Sequence, residues 1–403
     1  MEIKNIVIVC DYAFFEGGAA NVALQSVLAF AKYTDLNVYC FAGNGEPCEA
    51  LKDSRAKIVA LEMPDLLGNK NKMDAFIKGI YNKRAGEELR KLLLTLDRER
   101  TIVHIHTWTK VLSSSVFEVC DKLKFRTFLT VHEYFLACPN GALYDYVEHK
   151  ICEASPLSVK CLLCNCDARN YPQKIWRCIR QAKQNSVIRN FDELNYIFIS
   201  EHQESQLLKR MPTPKRKYLV KNPINVGNRM HIPAENNSKF LYIGRLSIEK
   251  GPQLFCEAIT KAGVPGVVIG KGPLEDELKS QYPNIEFTGW LSKEQIDEQL
   301  KMARALIFPS LWYEGSPLTV PEVQAHGIPC IVTDCSSATD DIVPGKNGEI
   351  VASNISDMVE AIIRFKDNEY VKRLSRMTYE LFDEKRCSEK WYIDNLMKIY
   401  TER

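Results

Sequence analysis

The chain has 403 residues, a hydrophobic fraction of 45% and a formal net charge of +2. That length predicts two domains with sizeable cores, and the near-neutral balance excludes a global attraction to nucleic acid. No apolar run reaches the length of a membrane span, and the apolar start is interrupted by Asp11 and Glu16, so it reads as a first strand and not as a signal peptide. The expected location is therefore cytoplasmic, where the 14 cysteines should be thiols or metal ligands and not disulfides.

Residues 5–10 form the first strand, followed by a loop to Gly18, a helix from about Ala19 to Tyr33 and a second strand over 37–42. A dinucleotide fold needs three spaced glycines in the first turn and an acid after the second strand, and neither is present, which argues against a nicotinamide enzyme. The adjacent Gly17 and Gly18 still let backbone N–H groups approach a phosphate at a helix N-terminus. Further strands are expected over 57–61, 101–106 and 126–131, with a helix over 73–96 and another ending at Lys122. The strand 126–131 runs into His132-Glu133-Tyr134, at the edge where open α/β sheets bind ligands. His104 and His106 alternate along the preceding strand, one suited to the core and one to a cleft.

Residues 138–166 stand out as a cysteine-rich insertion. Cys138, Cys152, Cys161 and Cys164 are candidate ligands of one structural Zn²⁺, the close Cys161-x-x-Cys164 pair having the spacing found in such sites. Thiols packed as small hydrophobes are the rival reading. The next segment, 169–189, carries Arg169, Lys174, Arg177, Arg180, Lys183 and Arg189 without an acid. Ile175, Trp176, Ile179 and Ala182 lie at helical spacing on it, a pattern that would suit a helix resting on anionic lipid.

A polar stretch at 225–238 is the expected linker, and the α/β alternation then restarts. Gly244-Arg245-Leu246 ends the first strand of the second half, Glu249-Lys250-Gly251 opens its helix, and Gly270 ends the next strand. Positive charge and N–H donors at such turns suit a diphosphate. Residues 307–334 hold a strand, an aromatic loop, Glu314, Gly315, Ser316 as expected N-cap, Pro317 at the first helical position, Leu318, and Glu322 within a helix ended by Gly327.

Glu314 and Glu322, eight positions apart, with Gly315, the run 316–320 and the Ala325, Gly327, Pro329 punctuation, resemble the glutamate-seven-glutamate signature of glycosyltransferase family 4. That resemblance implies a GT-B fold: two Rossmann-like domains facing across a cleft. It divides the chain into an acceptor domain over 1–225, a donor domain over 226–383 and a terminal helix over 384–403 returning to the first domain. It implies retaining transfer of a hexose from a UDP- or GDP-sugar to a glycan or lipid-linked acceptor, in cell-surface polysaccharide assembly. No DxD motif is positioned for a metal-bound diphosphate, and Arg245, Lys250 and the helix dipole could neutralise the leaving group, so no catalytic metal is expected. The protein would then work in the cytoplasm or at the inner face of the membrane. His132 and Glu314 would flank the donor sugar. Gly17, Gly18, Arg245, Lys250, Gly270 and the backbone of Ser316, Pro317 and Leu318 would serve the phosphates and nucleotide, and Glu322 the ribose. The alternatives are another GT-B enzyme, such as an epimerase or phosphorylase, or a non-catalytic sugar-nucleotide-binding protein.

Overall fold

A computed structural model describes residues 2–402. The first half supplies β1 (Asn5–Tyr12), β2 (Asn37–Asn44), β3 (Lys57–Ala60), β4 (Thr101–Ile105) and β5 (Arg126–Val131), then a short antiparallel ribbon of β6 (Tyr144–Asp145) and β7 (Lys150–Ile151), then β8 (Leu194–Phe198) and β9 (Lys217–Leu219). Seven of these form one parallel sheet in the order β3-β2-β1-β4-β5-β8-β9. All eight residues of β1 are buried, as a valine- and isoleucine-rich strand covered on both faces must be. The second half supplies β10 (Lys239–Ile243), β11 (Gly266–Ile269), β12 (Glu286–Gly289), β13 (Ala303–Phe308), β14 (Cys330–Thr333) and β15 (Gly348–Val351), parallel in the order β12-β11-β10-β13-β14-β15. In each sheet the strand order reverses beside the first strand, next to β4 and next to β13. The crevice at such a switch point is where α/β sheets bind ligands.

The helix Glu389–Thr401 packs on the helix Gly17–Tyr33, burying Tyr392, Ile393, Leu396 and Tyr400 in the core of the first sheet. Arg126 donates to the carbonyls of Ile399, Tyr400 and Glu402, at the negative end of that helix.

Three sequence expectations change. The helix expected over 73–96 is two helices, Lys72–Ile80 and Lys83–Leu93, because the Asn82 side chain accepts from Ala85 N and starts a new helix. The basic segment is the helix Tyr171–Ile188, and three of its cations turn inward. Lys174 is buried, Arg177 pairs with Asp167 at 2.9 Å, and Arg180 donates to Thr109 O while lying over the Trp176 and Phe135 rings. Ile179, from the apolar stripe, is exposed instead. Three of the six cations that suggested a lipid-facing helix are thus engaged within the protein. Among the described residues, no helix is long and apolar enough to cross a membrane.

The zinc expectation is also corrected: among the described residues no group of three or more His, Cys, Asp or Glu is arranged to hold a metal ion. The thiols have other partners. Cys138 donates to Asn140 Oδ1 and Cys164 to Asp145 Oδ2. Cys152 stays half-buried, and the ammonium of Lys174 occupies the space among the thiols, 2.9 Å from Cys166 Sγ and 3.6 Å from Cys161 Sγ.

Candidate active site

The cleft between the two sheets holds a cavity of about 300 Å³. The first half contributes Gly18, His132, Glu133 and Tyr134 to its lining, and the second half Lys250, Trp312, Glu314, Ser316 and Leu318. At its centre Lys250 Nζ donates to both carboxylate oxygens of Glu314, at 2.8 and 3.0 Å. Ser310 Oγ donates to Glu314 Oε1 at 2.6 Å. A carboxylate this buried is expected to carry such charge-assisted partners.

The local fold explains why Lys250 is there. Gly251 has φ of +69°, and a Cβ on it would sit 2.0 Å from Pro309 O, so only glycine lets the turn before the helix Pro252–Ala262 press against the loop after β13. Leu311 N donates to Glu249 O across the same seam, at 2.8 Å. Lys250 also lies over the Trp312 ring.

The two halves are clasped by backbone contacts around Glu314. Tyr134 Oη donates to Glu314 O at 3.0 Å, and Ser200 Oγ donates to Gly315 O at 2.7 Å. A Cβ on Gly315 would lie 2.7 Å from His132 O, so this glycine is required by the close approach of one half to the other.

His132 is the end of a buried histidine row. His106 Nδ1 and His132 Nε2 are 3.1 Å apart, and the His104 ring lies tilted beside His106 at 4.2 Å between centroids. His104 is itself held at both nitrogens, by Thr130 Oγ1 at 2.7 Å and by Tyr400 Oη of the terminal helix at 2.6 Å. Burial pushes His132 down to about 4 and His104 to about 3, and lowers His106 as well, so the row is neutral. The buried Nε2 of His106 has no partner. A bare lone pair is cheaper to bury than an unpaired N–H. The favoured tautomer therefore has His106 Nδ1–H donating to His132 Nε2, which leaves His132 Nδ1–H free to donate into the cleft.

The cleft thus brings together Gly18, His132, Lys250, Glu314, Ser316 and Leu318. Gly17, with φ of +72°, begins the helix Gly17–Tyr33, whose first turn has no side-chain cap and no acid, and nothing lies within 4 Å of a Cβ placed on Gly17 or Gly18. Those N–H groups are open to an anion. Gly270, with φ of +141°, packs against Gly244 O, where a Cβ would come within 1.9 Å. Arg245 is outside the cavity lining: its guanidinium donates to Glu249 Oε1 at 2.8 Å, and its side chain is 64% exposed.

The helix expected from Ser316 starts later, at Thr319, and Ser316, Pro317 and Leu318 form an extension of the loop. Glu322 is consequently in the first helical turn, not deep in the helix. It is half-buried, has no hydrogen-bonded partner, and desolvation raises its carboxyl to about 7.

The sequence assigned no role to Tyr134 or Ser310 and left open which of His104 and His106 lines the cleft. Tyr134 and Ser310 carry no motif spacing, and His106 was visible only as a strand alternation. Their roles come from contacts between segments up to 180 residues apart.

Residues 229–381 match the family described as glycosyl transferases group 1. The chain is 30% identical over 156 residues to the Escherichia coli UDP-Gal:alpha-D-GlcNAc-diphosphoundecaprenol alpha-1,3-galactosyltransferase, covering 35% of this chain and 40% of that one. It is 29% identical over 177 residues to a lipopolysaccharide 1,6-galactosyltransferase of Salmonella typhimurium, covering 40% and 49%. The chain thus spans half or less of the length of these two relatives. Among solved structures, Anabaena HepE in complex with UDP superimposes with a TM-score of 0.67 at 11% identity, over 98% of this chain and 99% of that one. The apo form of the lipopolysaccharide outer core galactosyltransferase WaaB gives 0.63 at 18% identity, over 99% of each. These likenesses establish the GT-B fold.

Proposed function

We propose that this protein is a retaining glycosyltransferase that moves a hexose from a nucleoside diphosphate sugar, UDP- or GDP-linked, to a glycan or lipid-linked acceptor in bacterial cell-surface polysaccharide assembly. The observation that carries the reading is the Lys250–Glu314 pair, held in the cleft opposite His132. The matched relatives support it: the first acts on a sugar linked to diphosphoundecaprenol, and another is an O-antigen chain mannosyltransferase of Escherichia coli. Solved neighbours hold UDP or UDP-glucose. The same relatives favour transfer over an epimerase, a phosphorylase or a non-catalytic binder.

In this reading the diphosphate lies between Lys250 and the N–H groups at Gly17 and Gly18, with Arg245 able to join it by leaving Glu249. Lys250 neutralises the developing charge on the leaving phosphate. His132 Nδ1–H donates to a hydroxyl of the donor sugar, and Glu314 orients both that sugar and Lys250. Glu314 has both oxygens engaged, so it is poorly placed as a covalent nucleophile. The leaving phosphate then takes the acceptor proton on the face from which the acceptor attacks, which retains the anomeric configuration. Glu322 accepts from the ribose hydroxyls.

Steady-state kinetics on radiolabelled donors test the assignment. Glu314→Gln should lower kcat about 100-fold with little change in donor KM, and Glu322→Gln should mainly raise donor KM. Wild-type constants in both folded variants would remove the active site from this cleft. EDTA should leave turnover intact, since lysine supplies the charge at the phosphates. Inhibition reversed by Mg²⁺ would overturn that part.

A further inference from the structure

A second cavity, of about 320 Å³, lies outside the cleft on the first half. It is bounded by the end of the helix Tyr171–Ile188, by Leu194 and Tyr196 of β8, and by the loop 211–215. Leu136, Ile188, Phe191, Tyr196 and Met211 make its wall apolar. Its size is that of a small-molecule site.

Three cations and one acid line it, and Lys215 pairs with Asp192 at 2.8 Å, which leaves Arg189 and Arg210. Arg189 is exposed and belongs to no ion pair among the described residues. Arg210 is pinned by Gln206 O at 3.0 Å and Cys152 O at 3.4 Å, yet its buried Nε has no partner. The oxygens that hold this guanidinium are all neutral, so its charge is uncompensated.

The cavity shares a wall with the cleft. The Arg210 guanidinium lies over the Tyr313 ring at 5.8 Å, and Tyr313 lines the cleft. Leu136 closes the short turn Tyr134–Leu136, whose first residue holds Glu314 O.

We propose that this cavity takes the hydrocarbon chain of a polyprenyl phosphate-linked acceptor, with Arg210 and Arg189 meeting its phosphate and the sugar to be extended projecting past Tyr313 into the cleft. The inference rests on the glycosyltransferase reading and adds to it the place where the acceptor's lipid is held. An apolar wall that carries two uncompensated guanidinium groups fits an amphiphile with a single anionic head, and neither a free sugar nor a free phosphate uses both features.

Calorimetric titration of the whole chain with farnesyl phosphate, farnesol and inorganic phosphate tests it. Farnesyl phosphate should bind at about one per chain and both partial probes at least roughly tenfold more weakly, the loss expected when a charge-assisted contact or the buried chain is removed. Met211→Trp should fill the cavity and abolish binding, and Ile188→Trp does the same from the opposite wall should the first variant fail to fold. Arg189→Glu should weaken farnesyl phosphate about tenfold and leave farnesol unchanged. The site is overturned if a folded, cavity-filled variant binds farnesyl phosphate as the wild type does, or if farnesol binds as tightly as its phosphate. Donor turnover is read separately. Farnesyl phosphate binding without any turnover supports the site and defeats only the transferase reading, whereas turnover without farnesyl phosphate binding defeats only the site.

Discussion

Lys250 and Glu314 would each be expensive to bury alone, and together they form a two-point contact at 2.8 and 3.0 Å. Glu322 differs because nothing compensates it. Its raised carboxyl makes a pH prediction with a definite sign. Between the unfolded value near 4.5 and the folded value of about 7, the folded state holds the extra proton, so this residue's contribution to stability falls as pH rises through that window. Glu322→Gln should therefore gain up to about 2–3 kcal/mol over wild type at pH 8 and nothing at pH 4, in denaturant melts at the two pH values. If the ribose hydroxyls donate to the ionised form, donor KM should also rise as pH drops below 7. The histidine row has the opposite sign. Its folded values are depressed, so its contribution is present above the unfolded value near 6.5 and is lost as pH falls below it. His106→Asn should flatten the acid limb of the stability profile. An acid limb identical to wild type would show that the row is not buried in the neutral form.

Among the elements, the loop 309–318 decides most, because it belongs to one half and is gripped by the other. Gly315→Ala should force the loop away from His132 O, which lies 2.7 Å from where its Cβ would be. We expect kcat to fall at least tenfold with little loss of overall stability, since the strain is relieved by opening the cleft. A variant with full activity would show that the two halves need not approach this closely. This element also marks what the sequence could disclose. The position of Lys250 and Glu314 was legible, because strand-end turns followed by helices carry ligand groups whatever the rest of the chain does. The start of the helix at Thr319 was not, because Ser316 and Pro317 satisfy every local rule for a helix start. Contacts of Ser200 and Tyr134 with the backbone of 314–315 hold the loop against the first half instead, and the helix starts at Thr319. The helix Tyr171–Ile188 misled for a related reason. Six cations without an acid look like a solvated face, yet Lys174 finds the thiols of the cysteine-rich insertion, and Arg177 and Arg180 find carbonyls and an aromatic ring on segments distant in sequence. The two helices on either side of Asn82 were a plain oversight, since an asparagine followed by Ala85 N at the right spacing is a local signal.

At the scale of the whole molecule, the terminal helix joins the end of the chain to the first sheet and, through Tyr400 and His104, to the histidine row beneath the cleft. Arg126→Ala should remove the donors at its C-terminal carbonyls and cost about 1–3 kcal/mol, seen as a lower melting midpoint. An unchanged midpoint would mean that the apolar face of the helix suffices to dock it. The central claim concerns the cleft between the sheets, that it holds a nucleoside diphosphate at Lys250. Thermal melts with UDP, GDP and ADP on the wild type and on Lys250→Ala measure this directly. A ligand at about 100 times its Kd stabilises the folded state by about 2.7 kcal/mol. One nucleotide should raise the wild-type midpoint by several degrees, and Lys250→Ala, losing about 1.5–3 kcal/mol of charge-assisted contact, should abolish most of that rise. No shift with any nucleotide, or an equal shift in the variant, would contradict the account.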